Sequence, residues 1–274
     1  MFSLNNVFLL VKIFLLGICF GSFFNVVIYR FPKKLSIVSP RSFCPKCKSK
    51  ITWRENIPIF SWLIQKGKCI NCKESISFAY PLIEILTGIF FVVFSFSSQQ
   101  VHNSIDNELF RNFFSWSFFS IVFLISLIDI KHFWIPQKLI NIGFIFGLLN
   151  FFLVKFLLRV NIFSDLFSYF ITIIISFLIF EFIRKLAKFL FKKEALGQGD
   201  SKFIAMMSLW LGPLGILLSV GISYIFAAIF ILFGLQMKMI KKSQLIPFAP
   251  FLSFGALIVW FFGNDFIIDI IYGF

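Results

Sequence analysis

Long apolar runs alternate along this chain with short polar segments rich in lysine and arginine. Apolar stretches at 7–29, 81–98, 111–129, 139–158, 163–183, 203–218, 219–237 and 247–263 approach the roughly 20 residues that a helix needs to cross about 30 Å of hydrocarbon. This pattern predicts an all-α polytopic membrane protein with about eight transmembrane helices, the sixth and seventh dividing near Gly212-Pro213. The polar stretch between the first two spans is the one soluble piece of any size. The chain therefore divides into a first transmembrane helix at 1–29, a cytoplasmic loop domain at 30–80 and a transmembrane core at 81–274.

Composition agrees with that reading. Of 274 residues, 59% are hydrophobic and 14% charged, with a mean hydropathy of +0.94, well outside the range of soluble domains. The 45 phenylalanines carry no functional message, since Phe and Leu serve a lipid-facing surface about equally well. A net charge of +14 would suggest nucleic acid if it were spread evenly, but its distribution points to topology. With the N-terminus outside, the inner segments 30–80, 130–138, 184–202 and 238–246 hold 22 of the 26 Lys and Arg residues. The positive-inside rule then puts both termini outside and the basic loops in the cytoplasm, together with Asp129 and Asp200. The first apolar run has no basic residue ahead of Lys12 and is followed by Arg30, Lys33 and Lys34, which predicts an anchored span rather than a cleavable signal.

About 50 residues of loop are too few to bury much core unaided, so a staple is expected. Cys44-Pro-Lys-Cys47 and Cys69-Ile-Asn-Cys72, separated by 21 residues, read as two zinc knuckles, one residue wider than the usual ribbon spacing. Four thiolates suit a structural zinc ion with no open position, and a cytoplasmic setting disfavours disulfides. The alternative is a set of reduced, unligated thiols. Cys19, inside the first span, reads as a small apolar residue.

Two acids stand out because ionisable groups at the edge of lipid are costly and are functional candidates by default. Asp129 closes the run Ile121–Ile128, and Asp200 follows Gly197 and Gly199 at the start of another. Each has a bland reading, Asp129 as a helix-end carboxylate pairing with Lys131 or reaching the interface and Asp200 as a helix cap. Taken together they can form a pair in which one carboxyl is ionised and the other protonated. The first would take a proton from attacking water, and the second would polarise a peptide carbonyl and protonate the leaving amine. The histidines fit no such role, His102 falling on the outer side and His132 at the interface. Asn25 reads as an interhelical hydrogen-bonding residue, Glu84 as a helix N-terminal acid and Glu181 as a side chain that snorkels beside Arg184 and Lys185. Glu55-Asn56-Ile57-Pro58 reads as a turn into Phe60-Ser61-Trp62-Leu63, an amphipathic stretch suited to the membrane surface.

Read in order, these strings resemble the prepilin peptidases, the type IV leader peptidases of bacteria. The resemblance rests on Gly21-Ser22-Phe23-Phe24-Asn25-Val26-Val27-Ile28-Tyr29-Arg30, the cysteine pairs, Glu55-Asn56-Ile57-Pro58 and Tyr80-Pro81-Leu82-Ile83-Glu84. It continues through Asp129 with Ile135-Pro136, Gly197-Gln198-Gly199-Asp200-Ser201-Lys202, Trp210-Leu211-Gly212 and Pro247-Phe248-Ala249-Pro250. It implies an aspartyl protease of the GxGD kind with Asp129 and Asp200 as its catalytic pair, cutting the leader from type IV prepilin or pseudopilin precursors. The cutting would occur at the cytoplasmic face of the bacterial inner membrane, by a peptidase core at 81–274. It further implies N-methylation of the new terminus with S-adenosylmethionine, for which Glu55, Asn56, Glu84 and Gly88 are candidates. Two departures stand out: Gln137 where the family usually has Asp, and Ser201 where it usually has an apolar residue.

The basic loop holds 11 basic against 2 acidic side chains, so it cannot attract a basic leader and suits anionic lipid headgroups instead. No nucleic-acid partner is expected, although a tethered zinc-ribbon binder would use the same charge. The competing class is an ion- or proton-coupled transporter using the two aspartates, for which the chain offers no inverted repeat.

Overall fold

The computed structural model describes residues 4–96, 108–158, 162–192, 197–241 and 244–273. Every regular element among them is a helix, and extended pairing is confined to two isolated bridges in the loop, Phe43 with Lys50 and Lys68 with Ser75. Five described helices are long and apolar enough to cross a membrane, and a sixth crossing is available if one bent pair counts as a span. The chain forms two compact units, residues 1–96 and 97–274.

The first unit holds α1 (Leu4–Arg30), a 3-10 turn (Arg54–Asn56), α2 (Phe60–Ile64) and α3 (Ala79–Phe94). α1 and α3 run antiparallel, and they approach closely because small residues meet along one seam. A Cβ on Gly17 would lie 2.7 Å from Gly88 Cα, and one on Gly21 would lie 2.6 Å from Glu84 Cα. One turn further, Asn25 Nδ2 donates to the Tyr80 carbonyl at 3.1 Å. Gly17 and Gly21 thus form the small-xxx-small stripe that lets membrane helices approach closely. At 16 residues α3 is about 24 Å long, short for a crossing, and it is held beside α1 through this stripe. Replacing Gly21 by Leu forces the backbones apart. It is expected to cost about 2 kcal/mol, read as a lower unfolding temperature of the purified protein.

The second unit holds α4 (Glu108–His132), α5 (Gln137–Leu158), α6 (Ile162–Phe191), α7 (Gln198–Gln236), α8 (Ala249–Phe262) and α9 (Asn264–Tyr272). Its centre is an aromatic triad, with Phe118, Trp210 and Trp260 ring centroids 4.8–5.6 Å apart, which ties α4, α7 and α8 together. Both indoles are satisfied: Trp210 Nε1 donates to the Gly143 carbonyl at 2.9 Å and Trp260 Nε1 to Ser115 Oγ at 3.2 Å.

α7 runs for 39 residues but is not straight. Gly212 breaks it at φ 72 and ψ −178, a conformation open essentially to glycine alone, and Pro213 follows without an amide to donate. The N-terminal limb starts beside α5, where Lys202 meets Gln137. The C-terminal limb starts with Gly215 near Val259, toward the end of α8, and runs back until Phe230 reaches Phe251 at the beginning of α8. The limbs therefore fold back on each other. Asp200 and Tyr224, about 36 Å apart on a straight helix, are close enough to interact electrostatically. The two expected spans 203–218 and 219–237 are the limbs of this hairpin. Helix α9 was not anticipated from the sequence. It turns 98° from α8 at Gly263, whose φ of 81 again suits glycine.

Candidate functional site

Asp129 lies in the last turn of α4 and Asp200 in the first turn of α7, 6% and 7% exposed. The hairpin in α7 and the antiparallel packing of α4 on α8 bring both to one end of the second unit. Asp129 Oδ2 accepts the Ala249 amide at 3.1 Å, the first residue of α8, between Pro247 and Pro250. An acid at a helix N-terminus is favoured by the dipole, and among the described residues Asp129 forms no ion pair with Lys131. Asp200 Oδ2 accepts the Gly197 amide at 3.0 Å, a reach back from the third position of its own helix. The two carboxyls lie within range of each other's charge. Each is held by one backbone amide, which leaves further lone pairs for other partners.

The glycines beside Asp200 have separate reasons. A Cβ on Gly199 would lie 2.8 Å from Ile135 Cβ, whereas one on Gly197 would crowd Asp200 Oδ2 at 3.2 Å. The Ile135-Pro136 turn is thus seated on Gly199. Just beyond it, Lys202 Nζ donates to Gln137 Oε1 at 2.8 Å, and Gln137 Nε2 donates to Asn141 Oδ1 at 2.9 Å. The neutral Gln137 therefore still joins α5 to α7. Gln137→Asp would turn this contact into an exposed ion pair, worth up to about 1 kcal/mol. The expected result is a small rise in unfolding temperature with turnover unchanged within about twofold.

Near the same end, Arg184 binds Glu181 through two nitrogens at 3.0 and 2.5 Å. His132 is exposed at the end of α4, and His102 lies outside the described residues. Tyr224, missed in the sequence, lies in range of Asp200 and packs on Phe248 at 5.3 Å. Nothing local in its sequence marks it, because the fold-back at Gly212 brings it there.

The first unit carries the second candidate site. The ligand atoms of Cys44, Cys47, Cys69 and Cys72 all lie within 4.8 Å of one another. Four thiolates about 2.3 Å from a common ion would stand about 3.8 Å apart, and Cys44 Sγ and Cys72 Sγ are 3.8 Å apart. The knuckles share one build. Cys44 N–H donates to the Ser49 carbonyl and Lys48 N–H to the Cys44 carbonyl, while Cys69 with Glu74 and Lys73 with Cys69 repeat the pattern at 2.9–3.0 Å. The Ser49 hydroxyl and then its amide lower the Cys47 thiol to about 6. The Glu74 amide lowers Cys72, but burial and the neighbouring sulfurs outweigh it and push the thiol up to about 11. Such a cluster sheds its last protons only when a cation takes their place.

Beside the knuckles lies a cavity of about 400 Å³. Asn25, Tyr29, Glu55, Asn56, Trp62 and Glu84 are among its walls. Glu55 accepts the Thr52 amide at 2.6 Å, and that amide, followed by the Thr52 hydroxyl, holds it below the usual carboxylate range. Glu84 is buried and reaches across the loop, where its Oε2 accepts the Ile59 amide at 2.7 Å. Ile59 itself has φ 63 and ψ −54, and the Phe60 amide bonds the Pro58 carbonyl at 2.6 Å, which makes a γ-turn of the strained kind. Arg30 is buried and spends its guanidinium on the carbonyls of Ser36, Pro40 and Arg41. Gly88 does not line the cavity. Phe14 and Ile18 of α1 cover it, so its place is in the helix seam.

Comparison with known proteins gives a consistent result. The model of the bacterial peptidase A24 N-terminal domain matches residues 15–98, and that of the type IV leader peptidase family matches residues 116–232. The prepilin leader peptidase/N-methyltransferase of Myxococcus xanthus is 34% identical over 219 residues, 76% of this chain. That match spans only 58% of the Myxococcus protein's own length. The type 4 prepilin-like proteins leader peptide-processing enzyme of Escherichia coli O78:H11 is 29% identical over 259 residues, 88% of this chain and 89% of that protein. The prepilin leader peptidase/N-methyltransferase of Bacillus subtilis is 29% identical over 255 residues, 93% and 95% of the two chains. No solved structure matches this chain.

Proposed function

Because the chain belongs to the type IV leader peptidase family, we propose that it is a multi-pass membrane endopeptidase that removes the leader from type IV prepilin or pseudopilin precursors, with Asp129 and Asp200 as its catalytic pair. The observation that carries this reading is that two buried acids, 71 residues apart in sequence, stand at one end of one helical unit. Each is fixed by a single backbone amide. One carboxylate takes a proton from water as the water oxygen bonds to the scissile carbonyl carbon. The other, protonated, gives its proton to the carbonyl oxygen; as the C–N bond breaks, the first acid passes the proton it took from water to the leaving amine, and the second recovers a proton from the gem-diol hydroxyl as the carbonyl re-forms. The precursor's apolar segment docks as a helix among the spans, so the membrane does much of the positioning.

The positive-inside bias of the basic loops supports a cytoplasmic face for both acids and for the cysteine loop, in the bacterial inner membrane. Zinc fits the four-thiolate set as a structural ion with no open position. S-adenosylmethionine would supply an electrophilic methyl group for the new N-terminus. The cavity of the first unit has a volume in the range of small-molecule sites. Glu55, Asn56 and Glu84 on its wall are the groups that would hold the cofactor, with Tyr29 and Trp62 as flat apolar surfaces. Gly88 contributes only through the seam that carries Glu84.

The test is to mix the purified protein in a membrane mimetic with a precursor bearing a basic leader and to read the products by mass. A leader-sized loss supports the peptidase, and a further gain of one methyl group only when S-adenosylmethionine is added supports the second activity. An intact precursor in an otherwise folded, metal-loaded preparation contradicts the reading.

A further inference from the structure

Helix α2 is only five residues long, yet it turns three large apolar side chains outward on one face. Phe60 and Leu63 are 57% exposed and Ile64 is 79% exposed. Residues at this spacing lie together on a helical turn. The opposite side is used internally: Trp62 donates Nε1 to the Ile76 carbonyl at 3.1 Å and packs on Phe78 at 5.7 Å. The outward face is thus not a folding accident of a loose loop, because the turn carrying it is pinned on its inner side.

The pinning also fixes where α2 sits along α3. Its start is bonded through the Ile59 amide to Glu84, five residues into α3 and so about 7.5 Å along a helix packed against a membrane span. α2 is therefore held near the loop end of α1 and α3, where both apolar helices give way to the basic loop. The charge around it matches an anionic leaflet. Residues 30–80 hold 11 basic and 2 acidic side chains, among them exposed Lys66 and Lys68, which follow α2 directly.

We infer that α2 is an interfacial foot, whose Phe60, Leu63 and Ile64 bed into the acyl boundary of an anionic membrane surface while the neighbouring lysines bind the headgroups. The inference is independent of the catalytic reading of the two acids. It gives the strained Ile59 turn a purpose, since the turn aims the face of α2 while Glu84 holds its origin.

The test uses the full-length Ile64→Trp protein in lipid nanodiscs, with lipids brominated near the headgroup or near the chain end. The emission of the added tryptophan is taken as the difference from the wild-type protein. Shallow bromines are expected to quench it at least about twofold, more than deep ones, and more in discs containing phosphatidylglycerol than in phosphatidylcholine alone. A water-like, unquenched emission overturns the inference. So does an emission shielded from water but untouched by either lipid, which would mean that protein covers the face, whether this chain or a second copy. Equal quenching with and without anionic lipid overturns the role of the lysines. Metal content per chain checks the fold of the variant, and Leu63→Trp, on the same face, replaces it if the metal is lost.

Discussion

Replacing either Asp129 or Asp200 by Asn is expected to slow leader removal by at least about a thousandfold, with the protein still inserted and folded. Asn keeps the oxygen that accepts the amide of Ala249 or Gly197, and it is as good a helix cap as Asp. What it lacks is the charge and the exchangeable proton. If the acids were only caps for α8 and α7, both variants would cut nearly as fast as the wild type. The substitution therefore separates the chemical role from the structural one, and product mass against time is the readout.

The second large effect concerns the cysteine cluster. Cys44→Ser is expected to lower bound metal from about one ion per chain to near none, because a structural four-thiolate site loses most of its affinity with one ligand. Cys44 is the buried corner of the set. Methyl addition should be lost with the loop, whereas cutting should persist within about tenfold, since both acids belong to the other unit. Metal analysis and the same mass assay check the two halves. Acid should act in the same direction as the mutation. Binding requires all four sulfurs as thiolates, so affinity falls as pH drops, and Cys72, at about 11, is the sulfur most readily reprotonated.

The sequence was most informative where one physical constraint dominates. A chain that must hide its backbone polar groups from lipid writes its helices as apolar runs, and among the described residues each of the eight expected stretches is helical over most of its length, the sixth and seventh as limbs of α7. The cysteine spacing foretold a four-sulfur cluster because the ligands themselves are the signal. Relations between elements were less legible. The seam of Gly17, Gly21 and Gly88 is not legible in the sequence, because isolated glycines in an apolar run look alike until a partner helix is known. The bond from Ala249 to Asp129, across 120 residues, depends on how α8 stacks against α4. Tyr224 needed the reversal at Gly212, and the clamp from Glu84 to Ile59 needed a strained backbone that an isoleucine seldom adopts. Gln137 is the converse case. Its departure from the family pattern was visible, and the structure shows the contact with Lys202 that it retains.

The central claim is that Asp129 and Asp200 act as one unit on one peptide bond. The most direct measurement is the single-turnover cutting rate of wild type, D129N, D200N and the double variant on the same precursor. Groups that act together are strongly non-additive, so the double variant is expected to be no more than about threefold slower than the slower single one. A double variant whose loss is the product of two separate losses, or a single variant that cuts at close to the wild-type rate, would contradict the account.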